Sequence, residues 1–538
     1  ITDSRQNTVP IYDSKFTTIF PRMWSSQKSS HISMYKKYGN IKGINIRHTK
    51  PDGSTEIINK PTFGENLQFF FTYQLGHMYF RYFMWNFAGR QNDIESQGEL
   101  EHGNWISGIK FLDEWRLGNL DKVPESMDNP AHNKFYLLPL ILGLIGFFFH
   151  LNTNKKDAFV VFLLFFMMGI AIVIYLNQYP YQPRERDYAY AGSFYPFAIW
   201  IGLGVLSIYN ALAKKIKEHK LIAIATILVC LILVPVIMAK DGWDDHNRSG
   251  KYAARDFAAN YLNSCAPNAV LFTNGDNDTF PLWYAQEVEG IRTDVRVVNY
   301  MLSSGYWYIH QLGTKIYDSD PLPFTLTPEQ YNKGVNQYIP FFNRNIKGYT
   351  ELKEVIGFIA SDNEQTKLPL QSGEKINYIP TKKFKLTIDS AKLVDNGIVP
   401  IELADQIVPS IEWELKQNAL YKNDLMLLDF LATNNWERPI YFANPSALNK
   451  ALNVDKYCHL HGIVYKFMPV KAKNYISGLG GISTDPTYDI LVNKAKWGNL
   501  NDPNVTVDRE SARNSGIVKQ NYIRLARALN KENKKDSA

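Results

Sequence analysis

Arg184 and Arg186 alternate with Glu185 and Asp187 in the stretch QYPYQPRERDYAYAGSFYPF. Pro180 and Pro183 keep this stretch out of helix and hold it extended. In extended chain successive side chains point to opposite sides, so Arg184 and Arg186 would face one way and Glu185 and Asp187 the other. Two guanidiniums on one side suit a phosphate or pyrophosphate, because the planar fork makes bidentate, charge-assisted bonds. Tyr179, Tyr181, Tyr188 and Tyr190 add hydroxyls and flat faces that fit a sugar or a lipid headgroup. The plainer reading is a self-neutralising loop bracketed by aromatic rings, and the residues alone leave both open.

A second constellation is LFTNGDNDTFPLWYAQEVEG, where a strand runs into Asn274, Gly275, Asp276, Asn277 and Asp278 at the start of a helix. Acceptor oxygens at the carboxyl edge of a parallel sheet sit where open α/β folds bind ligands. Asp276, Asn277 and Asp278 could hold a divalent cation or sugar hydroxyls. Equally, Asp276 or Asp278 could cap the helix, with Gly275 taking a positive φ. DGWDDHN, from Asp241 to Asn247, is a further acidic cluster beside His246 and a weaker metal candidate. In QFFFTYQLGHMYFRYFMWNFAGRQND, His77 and Arg81 are four apart and share a helix face. Arg81 could snorkel to lipid phosphate with His77 as packing, or the pair could take a substrate role.

The elements that must position these groups are strongly apolar. Phe135–Leu151, Ala158–Leu176, Phe194–Leu212 and Leu221–Ala239 carry no acidic or basic residue. At about 1.5 Å per residue each approaches a hydrocarbon core of roughly 30 Å. The spacing therefore predicts a block of about four transmembrane helices over 135–239. Lys155 and Lys156 lie between the first pair, and Lys214, Lys215, Lys217 and Lys220 between the last pair, so those loops face the cytoplasm. The QPRERDY loop and the flanking regions then share the external side. The aromatic helix near 66–88 is rich in rings that favour the headgroup zone.

Mean hydropathy of −0.26 averages this block with polar flanks. A net charge of +7 over 538 residues, with scattered cations, gives nucleic-acid binding no support. Cys230, Cys265 and Cys458 form neither a disulfide framework nor a metal pattern; Cys265 and Cys458 could form a single bridge in an oxidising compartment, and two unpaired thiols are the favoured expectation. Residues 1–134 read as an external segment in which Tyr12–Ser26 is irregular or short strand, and IKGINIRHT and TEIINKP flank a hairpin turn. Residues 240–538 read as an external α/β domain. A helix Tyr252–Asn263, the run NAVLFT, a helix from near Phe280 and the strand DVRVVNY make a crossover unit. The expected core is a small doubly wound, mostly parallel sheet, with an antiparallel insertion near 321–407. No signal-peptide pattern occupies Ile1–Pro21, and the chain is expected to be the distal portion of a longer one.

The strings FPRMWSS, QFFFTYQLGHMYFRYFMWNFAGRQND, QPRERDYAYAGSFYPFAIWIGLG, NAVLFTNGDNDTFPLWYAQEVEGIRTDVRVVNY and NWERPIYF resemble the Bacteroidota membrane proteins of the domain-of-unknown-function 2723 family. The match runs from about Thr18 through Val464. That family looks like a branch of the C-type glycosyltransferases, related to a protein O-mannosyltransferase. The resemblance implies a multi-pass protein of the bacterial inner membrane that moves a sugar from a polyprenyl-phosphate donor to a periplasmic protein or glycan. It also implies a catalytic acidic motif upstream of this chain, which leaves the catalytic residue unassigned here. Carried over by position, Arg184 to Tyr188 is the membrane-surface motif, where Arg184, Arg186 and Arg81 would meet the donor phosphate. Glu185, Asp187, Tyr188 and Tyr181 would support the loop. The competing expectation is a non-catalytic accessory or scaffold subunit of a membrane complex.

Overall fold

The computed structural model describes residues 17, 28–50, 52–122, 124, 127, 129–182, 184–370, 373–448 and 451–538. The expected irregular segment at Tyr12–Ser26 lies outside these, Thr17 excepted, as do FPRMWSS and Pro183. The chain divides into two compact units, Val9–Asn247 and one that holds Arg248–Ala538. Residues 28–134 are thus grouped in one compact unit with the apolar helices.

In the first unit, helix α1 (Ser29–Gly39), which the sequence reading missed, precedes the expected hairpin of β1 (Ile44–Thr49) and β2 (Thr55–Lys60). Helix α2 then runs unbroken through Phe63–Phe69, Phe70–Phe80 and Arg81–Phe87, its middle part wound as a π-helix. Its start is a capping box: Glu65 accepts from the Thr62 backbone at 2.7 Å and Thr62 Oγ1 accepts from Glu65 N at 3.3 Å. Gly89–Arg90 (β3) pairs antiparallel with Asn133–Lys134 (β4). Four apolar helices follow: α3 (Leu138–Thr153), α4 (Lys155–Leu176), α5 (Asp187–Ala213) and α6 (His219–His246).

The last three of these are long and apolar enough to cross a membrane; α3, with 16 residues, is shorter. The expected first span, Phe135–Leu151, thus begins late. Tyr136 and Leu137 take left-handed φ values of 55° and 59°, Phe135 N is bound to Ala88 O at 3.0 Å, and Pro139 opens the helix. About 24 Å of helix remains by rise per residue. Glycine governs how α3 meets α5. A Cβ on Gly146 would lie 1.7 Å from Trp200 O, and one on Gly143 would lie 2.4 Å from the Phe197 ring. Close backbone approach through small residues is how apolar helices gain packing where burial itself adds little. The aromatic helix α2 is built into this unit: Phe83 and Phe87 pack in one cluster with Phe197 and Trp200, and Tyr79 bonds Ser193 Oγ at 3.0 Å.

The second unit is mixed α/β around a six-stranded, mostly parallel sheet. Its elements are α7 (Ala253–Asn263), β5 (Val270–Thr273), α8 (Asp276–Glu287), β6 (Arg296–Asn299), α9 (Tyr306–Leu312), α10 (Lys422–Asn434), β7 (Ile440–Phe442), β8 (Cys458–His461), β9 (Val464–Phe467), β10 (Gly481–Ile482) and α11 (Arg509–Lys531). The strand order is β10-β8-β9-β7-β5-β6. β5 pairs parallel with β6 in register Val270↔Arg296 to Thr273↔Asn299, as the crossover pattern predicts, and parallel with β7. β9 runs antiparallel to both β7 and β8, so the sheet is not wholly parallel. Strict alternation along β5 splits the core. Leu271 joins Ala258, Leu262, Leu282 and Ala285 of α7 and α8, while Val270 and Phe272 join Leu425, Leu428 and Phe430 of α10. Residues 321–407 form a more mixed insertion than expected. An antiparallel pair Lys367–Pro369 with Lys375–Asn377 accompanies the helix Leu352–Ala360, and Lys383–Thr387 pairs antiparallel with Ser410–Glu414 and parallel with Thr350–Glu351. The three cysteines are free and buried.

Candidate functional site

Two left-handed residues, Asn177 and Tyr181, turn the chain between α4 and α5. The side chains that follow alternate in exposure: Arg184, Arg186 and Tyr188 are exposed, and Glu185 and Asp187 are half-buried. Glu185 is drawn inward by two donors, Arg81 Nη2 at 2.8 Å and Ser96 N at 3.0 Å, both on Oε1. Arg81 is fully committed. Its Nε donates to His77 O at 2.9 Å and its Nη1 to Gly103 O at 2.7 Å, while the guanidinium lies 4.6 Å from the Trp85 ring. It is 7% exposed, which leaves it no free fork for a donor phosphate, in contrast to the placement expected from sequence, and it does not snorkel. A charged hydrogen bond between nearly dry partners is the strong kind, so the Arg81–Glu185 link ties the loop to α2.

Arg184 and Arg186 differ from Arg81 in having no ion pair and no side-chain hydrogen bond among the described residues; Arg184 lies 5.7 Å from the Tyr188 ring. Arg186 stands at a cavity of about 40 Å³ that Tyr73, His77, Gln178, Tyr181 and Tyr190 also line. That volume admits ordered water rather than a sugar ring. His77 Nε2 donates to Ser96 O, 3.2 Å away, and the ring stacks on Tyr73 at 5.6 Å. Burial first, then the Arg81 charge, push its pKa well below the usual imidazole range, so it is neutral and Nε2 carries the proton toward Ser96. Around the same loop, Gln74 Oε1, Gln178 Oε1 and both ring nitrogens of His31 are buried without a hydrogen-bond partner among the described residues. His31 is stacked on Tyr179 at 5.1 Å. His31, Ser96 and Gly103 were invisible to sequence reasoning, since their link to the loop spans tens of residues without a local pattern. The π-winding of α2 carries no such signal either, although such segments favour functional sites.

The NGDND turn resolves toward structure. Asp278 accepts from Asn274 N and Gly275 N, each at 2.8 Å, and so caps α8, which starts at Asp276 and not near Phe280. Asp276 accepts from Asn277 N at 3.0 Å, and both side chains are exposed. Gly275 has an extended backbone instead of the expected positive φ. With one carboxylate consumed by the cap, the turn is a poor cation cradle, and no group of three His, Cys, Asp or Glu suited to a metal occurs among the described residues. In DGWDDHN, Asp245 pairs with Arg90, and Asp241 accepts from Lys134 N at 2.9 Å. These carboxylates fasten the end of α6 to β3 and β4.

Residues 254–485 match the family model described as TMEM260-associated domain 2, and residues 2–71 match a family of unknown function, DUF8416. No curated protein and no solved structure matches. The first match covers the sheet with its NGDND turn, and the arginine loop lies in neither region. Neither matched family is the 2723 family.

Proposed function

We propose that this chain is part of a membrane glycosyltransferase that takes a sugar from a polyprenyl-phosphate donor and gives it to a periplasmic acceptor, a protein or a glycan. In such a transfer the acceptor oxygen bonds to the anomeric carbon and passes its proton to a general base. The bond from that carbon to the phosphate oxygen breaks, and negative charge collects on the departing lipid phosphate. Arg184 and Arg186 are assigned to hold that phosphate. One observation carries this: Arg184 and Arg186 stand exposed and without an ion pair among the described residues, while the carboxylate between them is turned inward onto Arg81. Arg81 is a positioning residue that aims the loop through Glu185. With the lysine-bearing loops in the cytoplasm, the arginine loop lies at the outer surface of an inner membrane, where a lipid-linked donor presents its headgroup.

The test uses the full-length membrane protein and a polyprenyl-phosphate sugar. Arg→Lys at 184 or 186 keeps the charge and loses the fork, and Arg→Ala loses both, so damage should be graded. Each lost contact should cost about 1.5–3 kcal/mol, or roughly ten- to hundredfold in turnover or donor affinity. Near-normal transfer by the double Ala variant at unchanged expression would refute the assignment.

A further inference from the structure

Beyond residue 485, where the TMEM260-associated match ends, the chain returns to the α/β unit and closes a cleft of about 890 Å³ between α7, residues 495–501 and α11. Its floor and rim include Arg255, Lys496, Trp497, Asn501, Lys519 and Tyr522. The loop carrying Trp497 has little freedom. Asn260 donates to Lys496 O at 2.7 Å and accepts from Lys496 N at 3.1 Å, and buried Asp256 accepts from Gly498 N at 2.9 Å. Gly498 has φ +59°, and a Cβ there would lie 2.2 Å from Ala253 N, so this position tolerates no other residue without moving α7. Trp497 is thus held between two pinned neighbours. Its ring is tilted 50° to that of Tyr522, with centroids 6.2 Å apart.

Two aromatic rings beside amide and hydroxyl groups offer what a pyranose needs: flat apolar faces for its C–H surface and hydrogen-bonding partners for its edges. The charge is one-sided. Asp256, the acidic residue of the lining, is occupied by Arg255 at 2.8 Å and by Gly498 N. Lys496 and Lys519 are exposed and form no ion pair among the described residues. A mixed cleft with a surplus of cations favours an anionic ligand. We propose that this cleft binds an anionic saccharide, its ring against Trp497 and Tyr522 and its carboxylates at Lys496 and Lys519. The proposal does not rest on the transferase reading, and its failure would leave the arginine loop untouched.

Isothermal titration of the full-length protein in an uncharged detergent would test it, with tetragalacturonate, neutral cellotetraose and ATP as probes. Tetragalacturonate should bind more tightly than either of the others, and less tightly as salt is raised. The double variant Lys496→Ala, Lys519→Ala should weaken it roughly tenfold at unchanged thermal stability, since both side chains are exposed. Trp497→Phe, which keeps a flat ring, should retain binding. Absence of tetragalacturonate binding, equal affinity for cellotetraose, or undiminished affinity in the double variant would each overturn the proposal. Tighter binding of ATP would assign the cleft to nucleotides instead and overturn it too.

Discussion

Helices from the two units show opposite environments. In α10, Lys422–Asn434, 10 of 13 residues are buried by the surrounding protein. The spanning candidate α4 has 11% of its apolar window buried, and α5 and α6 each have 22%. A helix apolar on all sides must be covered, either by protein or by lipid. Polar groups divide the same way. Every described buried side-chain atom without a partner, from His31 to Thr226, lies in Val9–Asn247. In the α/β unit even buried cations are fully served. Arg438 donates to Asn268 O at 2.9 Å, Asp320 O at 3.0 Å and Ser319 Oγ at 3.0 Å, and Lys422 Nζ donates to Tyr331 O and Asn332 O, each at 2.7 Å. The α/β unit covers its helices and pairs its described buried polar atoms; the other unit leaves most of its apolar helix surface exposed and several described buried polar atoms without a partner.

The sharpest way to break this comparison is in the helix unit. Gly146→Ile would force α3 away from the Trp200 carbonyl of α5 and should cost about 3 kcal/mol or more. Thermal unfolding in detergent would show it, and a near-native midpoint would mean that α3 and α5 do not meet at these glycines. Next in size, Arg438→Ala in the α/β unit leaves a cavity and unpaired buried carbonyls, for an expected loss of about 3 kcal/mol in denaturant unfolding. A loss below about 1 kcal/mol would show that water reaches this network.

The smallest effect is a pH dependence. Burial pushes the ammonium groups of Lys422 and Lys466 down to about 8. An unfolded lysine titrates near 10.4, so between about pH 8 and 10 the unfolded chain holds protons that the folded one has released. Stability of the α/β unit should therefore rise over that window, and Lys466→Met should remove about half of the rise. Above about pH 10 the trend reverses, because burial holds Tyr308 up to about 12 while an unfolded tyrosine ionises near 10. A flat profile between pH 8 and 10 would mean that these lysines are hydrated in the fold.

Much of the architecture was legible because it is local. Period-2 and continuous apolar runs place β5 and β6, and their parallel pairing follows from the helix between them. The β1–β2 hairpin follows from its KPDGS turn. The antiparallel β8–β9 pair was half seen, since Cys458–His461 is too short to announce itself. The length of α3 was misjudged because hydropathy cannot register the left-handed turn at Tyr136 and Leu137 that delays its start.

For the candidate site, the expected alternation of exposure over Arg184 to Asp187 is present, but not through extended backbone: Arg186 has φ −108° and ψ 34°, and Asp187 already begins a 3-10 turn. What those side chains then meet is a long-range matter. Arg81 and Glu185 are 104 residues apart, and Ser96 reaches the same carboxylate from 89 residues away. No periodicity encodes such distances. Only the packed chain decides that Arg81 is consumed while Arg184 and Arg186 stay free, and that Asp278 is a helix cap instead of a ligand. The physical reason is that a charge in a fold is spent or available according to its nearest partners, and those partners are chosen by tertiary packing.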